Sequence, residues 1–248
     1  MITKEIILQQ IALTSNDIAK KFDELYGEEI AELVEEMAVS YNILLAVINK
    51  EDQSKISDAD FQSGFLFWTA LNTYLAAVEL FRRGYNKEPQ MLLRNVLETF
   101  SAAYDIHVNP EKLEVLRKQP KDFDSRRSIN IAKNVHPIIS QMWGSLSGKF
   151  SHVSTFHTIP HRTAPFCVGG LFDSSDQQAV VLGIIPPLNL VLDILSSLVE
   201  LTFIEHVSSS RFWQKIGLNK YNYSIPIKNR KRGERLMDRM RSMLNKTK

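Results

Sequence analysis

The stretch MLLRNVLETF, residues 91–100, sets Arg94 and Glu98 four residues apart among Leu92, Leu93, Val96, Leu97 and Phe100. A guanidinium offers a rigid fork of donors to an anion. A carboxylate one turn away can orient that fork or accept a proton. On a helix, Ser101 and Asp105 extend the same face. Two readings of the pair stand open. It can be an ion pair between packed helices, answering a polar group such as Asn72 or Glu79. It can also line a polar pocket between helices, with Arg94 holding an anion and Glu98 orienting it or acting as a base.

A second chemical signal lies downstream. Residues 125–172 carry Arg126, Arg127, Lys133, Lys149 and Arg162, no Asp or Glu, and the histidines His136, His152, His157 and His161. Clustered cations suit phosphate or RNA, and Trp143, Phe150 and Phe156 could supply stacking. The alternative is that the acidic N-terminal helices pack against this window and neutralise it. Metal binding is not expected. No carboxylate is near these histidines, Pro160 interrupts their spacing, and the chain has no Glu-x-x-His. No cofactor is expected either, since G-x-S-x-G, P-loop and G-x-G-x-x-G patterns are missing. The single cysteine, Cys167, sits in an apolar run and reads as a core residue.

Charge is segregated along the chain. Residues 1–124 hold 13 Lys/Arg against 21 Asp/Glu, whereas residues 228–248 hold nine basic and two acidic residues. The tail offers Arg230, Lys231 and Arg232 to a phosphate or nucleic acid. It could instead lie on an anionic membrane, or dock on the acidic run GEEIAELVEE of residues 27–36, within the chain or across a dimer.

The elements that must position these groups are mostly helical. Apolar residues recur at helical spacing over residues 16–49, with Gly27 marking a kink. Asp58 or Asp60 caps a helix running to about Arg83, which Gly84 ends. Pro89 opens the Arg94 helix and Asn109-Pro110 closes it. RRSINIAKNV and PIISQMWGSLSGKFSHVS predict two shorter helices split at His136-Pro137. APFCVGGLF and QQAVVLGII predict a β-hairpin at about 164–184, and Pro186-Pro187 opens a helix to about Val207. Residues 61–78 and 184–204 are apolar, but their polar residues fit buried helices better than membrane spans, so no integral membrane insertion is expected. The expected architecture is a mainly α multi-helix bundle over 1–227, with one small β-hairpin insertion, and a basic helical tail over 228–248.

GYNKEPQMLLRNVLETFSAAYDIHVN, residues 84–109, resembles the Arg-x-x-x-Glu helix of a broad group of bacterial all-helical proteins. In that group a helix ending in Gly comes first, an aromatic follows (here Tyr104), and a later short helix carries Ser and His. SLSGKFSHVS is similar to the later element. His152 matches its His, while its Ser aligns with Gly148 and leaves Ser147 displaced. The resemblance covers about residues 65–155. The group is distantly similar to the HEPN superfamily, many of whose members are RNases or nucleotide-binding proteins of toxin and phage-defence systems. The resemblance implies a catalytic set of Arg94, Glu98 and His152. The HEPN nuclease pattern of Arg, four to six residues and His on one helix does not occur in this chain. Cleavage of RNA would need Arg94 and His152 to meet across two helices.

Two functions are therefore carried forward. One is a non-enzymatic, cytoplasmic interaction protein associated with mobile elements or defence, with a second copy of the chain among its expected partners. The other is an HEPN-like RNA- or nucleotide-binding protein, an RNase in its sharpest form.

Overall fold

The structure, a computed structural model, describes residues 3–9, 15–49, 56–85, 87–148, 175–207, 209–218 and 220–246. Among them the chain is a helical bundle with one two-stranded antiparallel hairpin. Its helices are α1 (Lys4–Gln9), α2 (Ser15–Ile48), α3 (Asp58–Arg82), α4 (Glu88–Val108), α5 (Lys112–Lys118), α6 (Ser125–Ala132), α7 (Ile138–Leu146), α8 (Ser175–Thr202) and α9 (Ile227–Lys246). The strands β1 (Trp213–Gly217) and β2 (Lys220–Tyr223) lie between α8 and α9.

The helix α3 starts at a reciprocal cap. The Ser57 hydroxyl accepts from the Asp60 amide at 3.0 Å and donates to the Asp60 carboxylate at 2.7 Å. It ends at Gly84, whose φ of 86° is open to glycine at little cost. The helix α4 then runs back along it, and a 2.6 Å contact between Asp60 and His107 Nδ1 ties the start of α3 to the end of α4. Phe67, Leu71, Tyr74 and Phe81 of α3 are fully or almost fully buried, with Leu93, Val96, Leu97 and Phe100 of α4. Phe22, Tyr26, Leu33 and Leu44 of α2, and Leu188, Val191, Leu192, Leu195 and Leu198 of α8, complete that core. The two helices long and apolar enough to span a bilayer, α3 and residues 184–202 of α8, are thus elements of this core.

The predicted hairpin is misplaced. Residues 164–174 lie outside those described, and residues 175–184 are helical. The helix α8 runs through Pro186 and Pro187 rather than starting there. The observed hairpin falls at 213–223, where Trp213 pairs with Tyr223 and the register shifts between Lys215 and Gly217.

The basic tail is docked within the chain on the acidic face of α2, as one of the readings above expected. Lys228, Arg235 and Arg239 pair with Glu35, Glu32 and Glu29. The helix α2 leaves helical geometry at Tyr26 (φ −134°, ψ 15°), and Arg239 donates to the Leu25 carbonyl beside that kink at 2.9 Å. Its guanidinium lies 4.7 Å from the Tyr26 ring centroid. Leu236 of α9 is buried in the core, whereas Met237 is exposed.

Candidate functional site

The site is assembled from α4, α6 and α7. Asp105 of α4 is fully buried and accepts from Asn109 at 2.7 Å, Lys112 at 2.6 Å and Ser128 at 2.7 Å. The Ser128 bond rivets α6 to α4. Asp124 caps α6 by accepting from the Arg126 amide at 2.9 Å. Arg126 is therefore held on the first turn of α6, next to α4. From the other side α7 brings Trp143.

These elements converge on Glu98. Its Oε1 accepts from Arg94 Nε at 3.0 Å and from the Trp143 indole N–H at 2.8 Å. Arg94 and Glu98 are 25% and 23% exposed, so the pair sits at the lip of the core and not inside it. The guanidiniums of Arg94 and Arg126 each lie 5.7 Å from the Trp143 ring centroid. They are thus no further apart than twice that distance. Among the described residues, Glu98 and Trp143 are the only partners of the Arg94 guanidinium, and Trp143 the only one of the Arg126 guanidinium. Two permanent cations around an indole, one braced by a carboxylate, have the chemistry to hold an anion beside a flat aromatic ring.

The structure sorts the sequence-predicted residues. Arg94, Glu98 and Arg126 come together. Arg127 and Lys133 are exposed on the same α6 segment, Arg127 at 3.7 Å from Asp124. His152, Lys149 and Arg162 lie outside the described residues, as do Cys167, Phe150, Phe156, His157 and His161. Arg230 and Lys231 are exposed on α9. Arg232 is not available to a ligand: it is 3% exposed and pairs with Asp193 of α8 at 2.5 Å. The expected link from the Arg94 pair to Asn72 or Glu79 does not form. Asn72 takes the Tyr41 hydroxyl at 2.7 Å, and Glu79 pairs with Arg82 and Arg83.

His136, from the acid-free window, is a core residue. It is 4% exposed and lies 2.6 Å from the Ser197 hydroxyl through Nε2. Ser197 donates onward to the Ile194 carbonyl at 2.8 Å, so Nε2–H is the donor to Ser197. Burial against Tyr223 and Trp213 pushes its pKa down to about 4, too low for a base working at neutral pH.

Two features escaped the sequence. Trp143 is a hydrogen-bond partner of Glu98 as well as a stacking surface, and nothing in the spacing of residues 98 and 143 announces that. Glu200 of α8 is fully buried, and its Oε1 accepts from the amides of Arg211, Phe212 and Trp213 at 2.9, 2.8 and 3.1 Å. Its only sequence signal is a carboxylate in an apolar helix. No cluster of three or more His, Cys, Asp or Glu suited to a metal occurs among the described residues.

No family model, curated protein or solved structure matches this chain. The functional reading therefore rests on the site alone.

Proposed function

We propose that this is a non-enzymatic interaction protein that binds a phosphate-bearing ligand, single-stranded RNA, at the Arg94–Trp143–Arg126 cluster. The observation that supports it is the convergence of two guanidiniums on one indole from three helices, one braced by Glu98 and the other with no carboxylate partner among the described residues. Backbone phosphates reward such cations, and a base has an aromatic surface nearby on which to stack. The exposed Arg127 and Lys133 extend the positive strip along α6. Arg94, Arg126 and Trp143 supply two cations and a flat ring, which is what binding asks for, whereas His152, which cleavage would need, lies outside the described residues.

The test is fluorescence anisotropy with a labelled oligouridylate at about 50 and 200 mM salt. Arg126→Ala removes an exposed side chain and leaves the fold intact. It should weaken binding about tenfold and lower the salt slope by about 1. No binding at the lower salt, or equal affinity for parent and variant, would refute the proposal.

A further inference from the structure

The β1–β2 hairpin projects from the bundle. Its root is packed, with Phe212 and Trp213 0% and 7% exposed, but Ile216 and Leu218 are 65% and 87% exposed. The register shift leaves Ile216 as the extra residue of β1, and the Gly217–Lys220 pair places Leu218 in the connecting turn. Turns favour polar residues and glycine, so two bare aliphatics at the tip of an arm call for something that covers them.

The surrounding charge says what kind of partner. No Asp or Glu occurs between Glu205 and Glu234. Of the cations in that interval, Arg211, Lys228 and Arg232 pair with Glu36, Glu35 and Asp193. Lys215, Lys220, Arg230 and Lys231 are exposed, and among the described residues none of them has an ion pair. The partner is therefore anionic and also accepts aliphatic side chains.

We infer that the hairpin is a membrane-surface contact, with Ile216 and Leu218 dipping into the headgroup layer of an anionic bilayer and Lys215 and Lys220 resting on its phosphates. A nucleic acid rewards the lysines but offers little to Ile or Leu. A second copy of the arm would set lysine against lysine. A lipid surface fits both the aliphatic and the cationic residues of the tip. Two aliphatic residues and a few cations give reversible, salt-sensitive attachment. The contact uses none of the residues of the proposed RNA site on α4, α6 and α7 and does not rest on that reading.

The experiment is co-sedimentation of the full chain with phosphatidylcholine vesicles, with and without about 30% phosphatidylserine. Parent protein should pellet with the anionic vesicles at low salt, stay in solution with the neutral ones, and be released at about 0.5 M salt. Leu218→Ser should cut pelleting several-fold with an unchanged melting curve, since the side chain is 87% exposed. Lys215→Gln with Lys220→Gln should cut it as well. Failure to pellet with anionic vesicles overturns the proposal, and so does pelleting that Leu218→Ser leaves unchanged. A parent dimer that Leu218→Ser turns into a monomer in sedimentation velocity also overturns it, by giving the tip to a second copy.

Discussion

Arg94→Met separates a binding role for the Arg94–Glu98 pair from an architectural one. If Glu98 were buried and Arg94 its sole partner, the variant would strand a charge, at about 3–5 kcal/mol. The geometry is milder on three counts. Both side chains are about a quarter exposed, so water reaches the carboxylate once Arg94 is gone. The Trp143 indole still donates to Glu98 Oε1 at 2.8 Å. The lost pair is an i,i+4 contact within one helix, worth about 0.3–0.5 kcal/mol where exposed. Methionine retains the aliphatic stem that covers the core.

The expected cost is therefore about 1 kcal/mol, a fall in Tm of about 2–4 °C for a chain of this size. Thermal unfolding followed by circular dichroism reads the first quantity and oligouridylate anisotropy a second. The variant should lose RNA binding several-fold while losing little stability. A fall in Tm beyond about 10 °C would mean that Glu98 depends on Arg94 alone, and Arg94 would then be a structural residue and not part of a site.

Two further outcomes follow from buried groups. His136 has a folded pKa of about 4 against an ordinary 6.5, so between those values the unfolded chain takes up a proton that the folded one refuses. Stability is thus full above about pH 6.5 and falls by about 3 kcal/mol as pH drops towards 4. His136→Phe should flatten that limb in urea titrations at stepped pH, and an unchanged limb would refute the assignment. Glu200→Ala leaves the amides of Arg211, Phe212 and Trp213 without their acceptor, at a cost of about 4 kcal/mol and roughly 8–16 °C in Tm. Glu200→Gln, which keeps Oε1, should recover more than half of that loss in the same melt, and a Glu200→Ala protein within about 1 kcal/mol of the parent would refute the role.

The helices were legible where sequence carried both periodicity and punctuation. Residues 16–49 show the apolar spacing of α2, and Gly84, Pro89 and Asn109 bracket α3 and α4 as the structure has them. The first cap was one residue off, because Ser57 takes the capping position while Asp60 serves as its reciprocal partner. The hairpin was not legible. A half-buried sheet writes alternation into its strands, but β1 is buried only at Trp213, so Gln214, Lys215 and Ile216 carry no inward signal. QQAVVLGII has the β-branched residues of a strand yet belongs to α8, where the rest of that long helix overrides local propensity. Of the site, the Arg94–Glu98 spacing could be read from sequence. Trp143 was legible as a stacking ring but not as the partner of Glu98, since nothing local records that α7 folds back onto α4.

The tail shows why sequence charge is a poor guide to surface charge. Nine basic residues in 21 suggest a nucleic-acid arm. Folding commits Lys228, Arg235 and Arg239 to three glutamates of α2, and Arg232 to Asp193. Burial pushes the Asp193 carboxyl up against the pull of Arg232, so that pair is part of the interior. Deleting the tail to look for lost RNA binding would uncover Asp193 and an acidic groove on α2, and the readout would be damage to the bundle. Among the described residues, the exposed cations that folding leaves without ion pairs include Arg126 and Lys133 of the α6 segment, and Lys215, Lys220, Arg230 and Lys231 of the hairpin and α9. Single-residue changes there report on binding, whereas changes at Arg232 or Arg239 report on whether α9 stays docked.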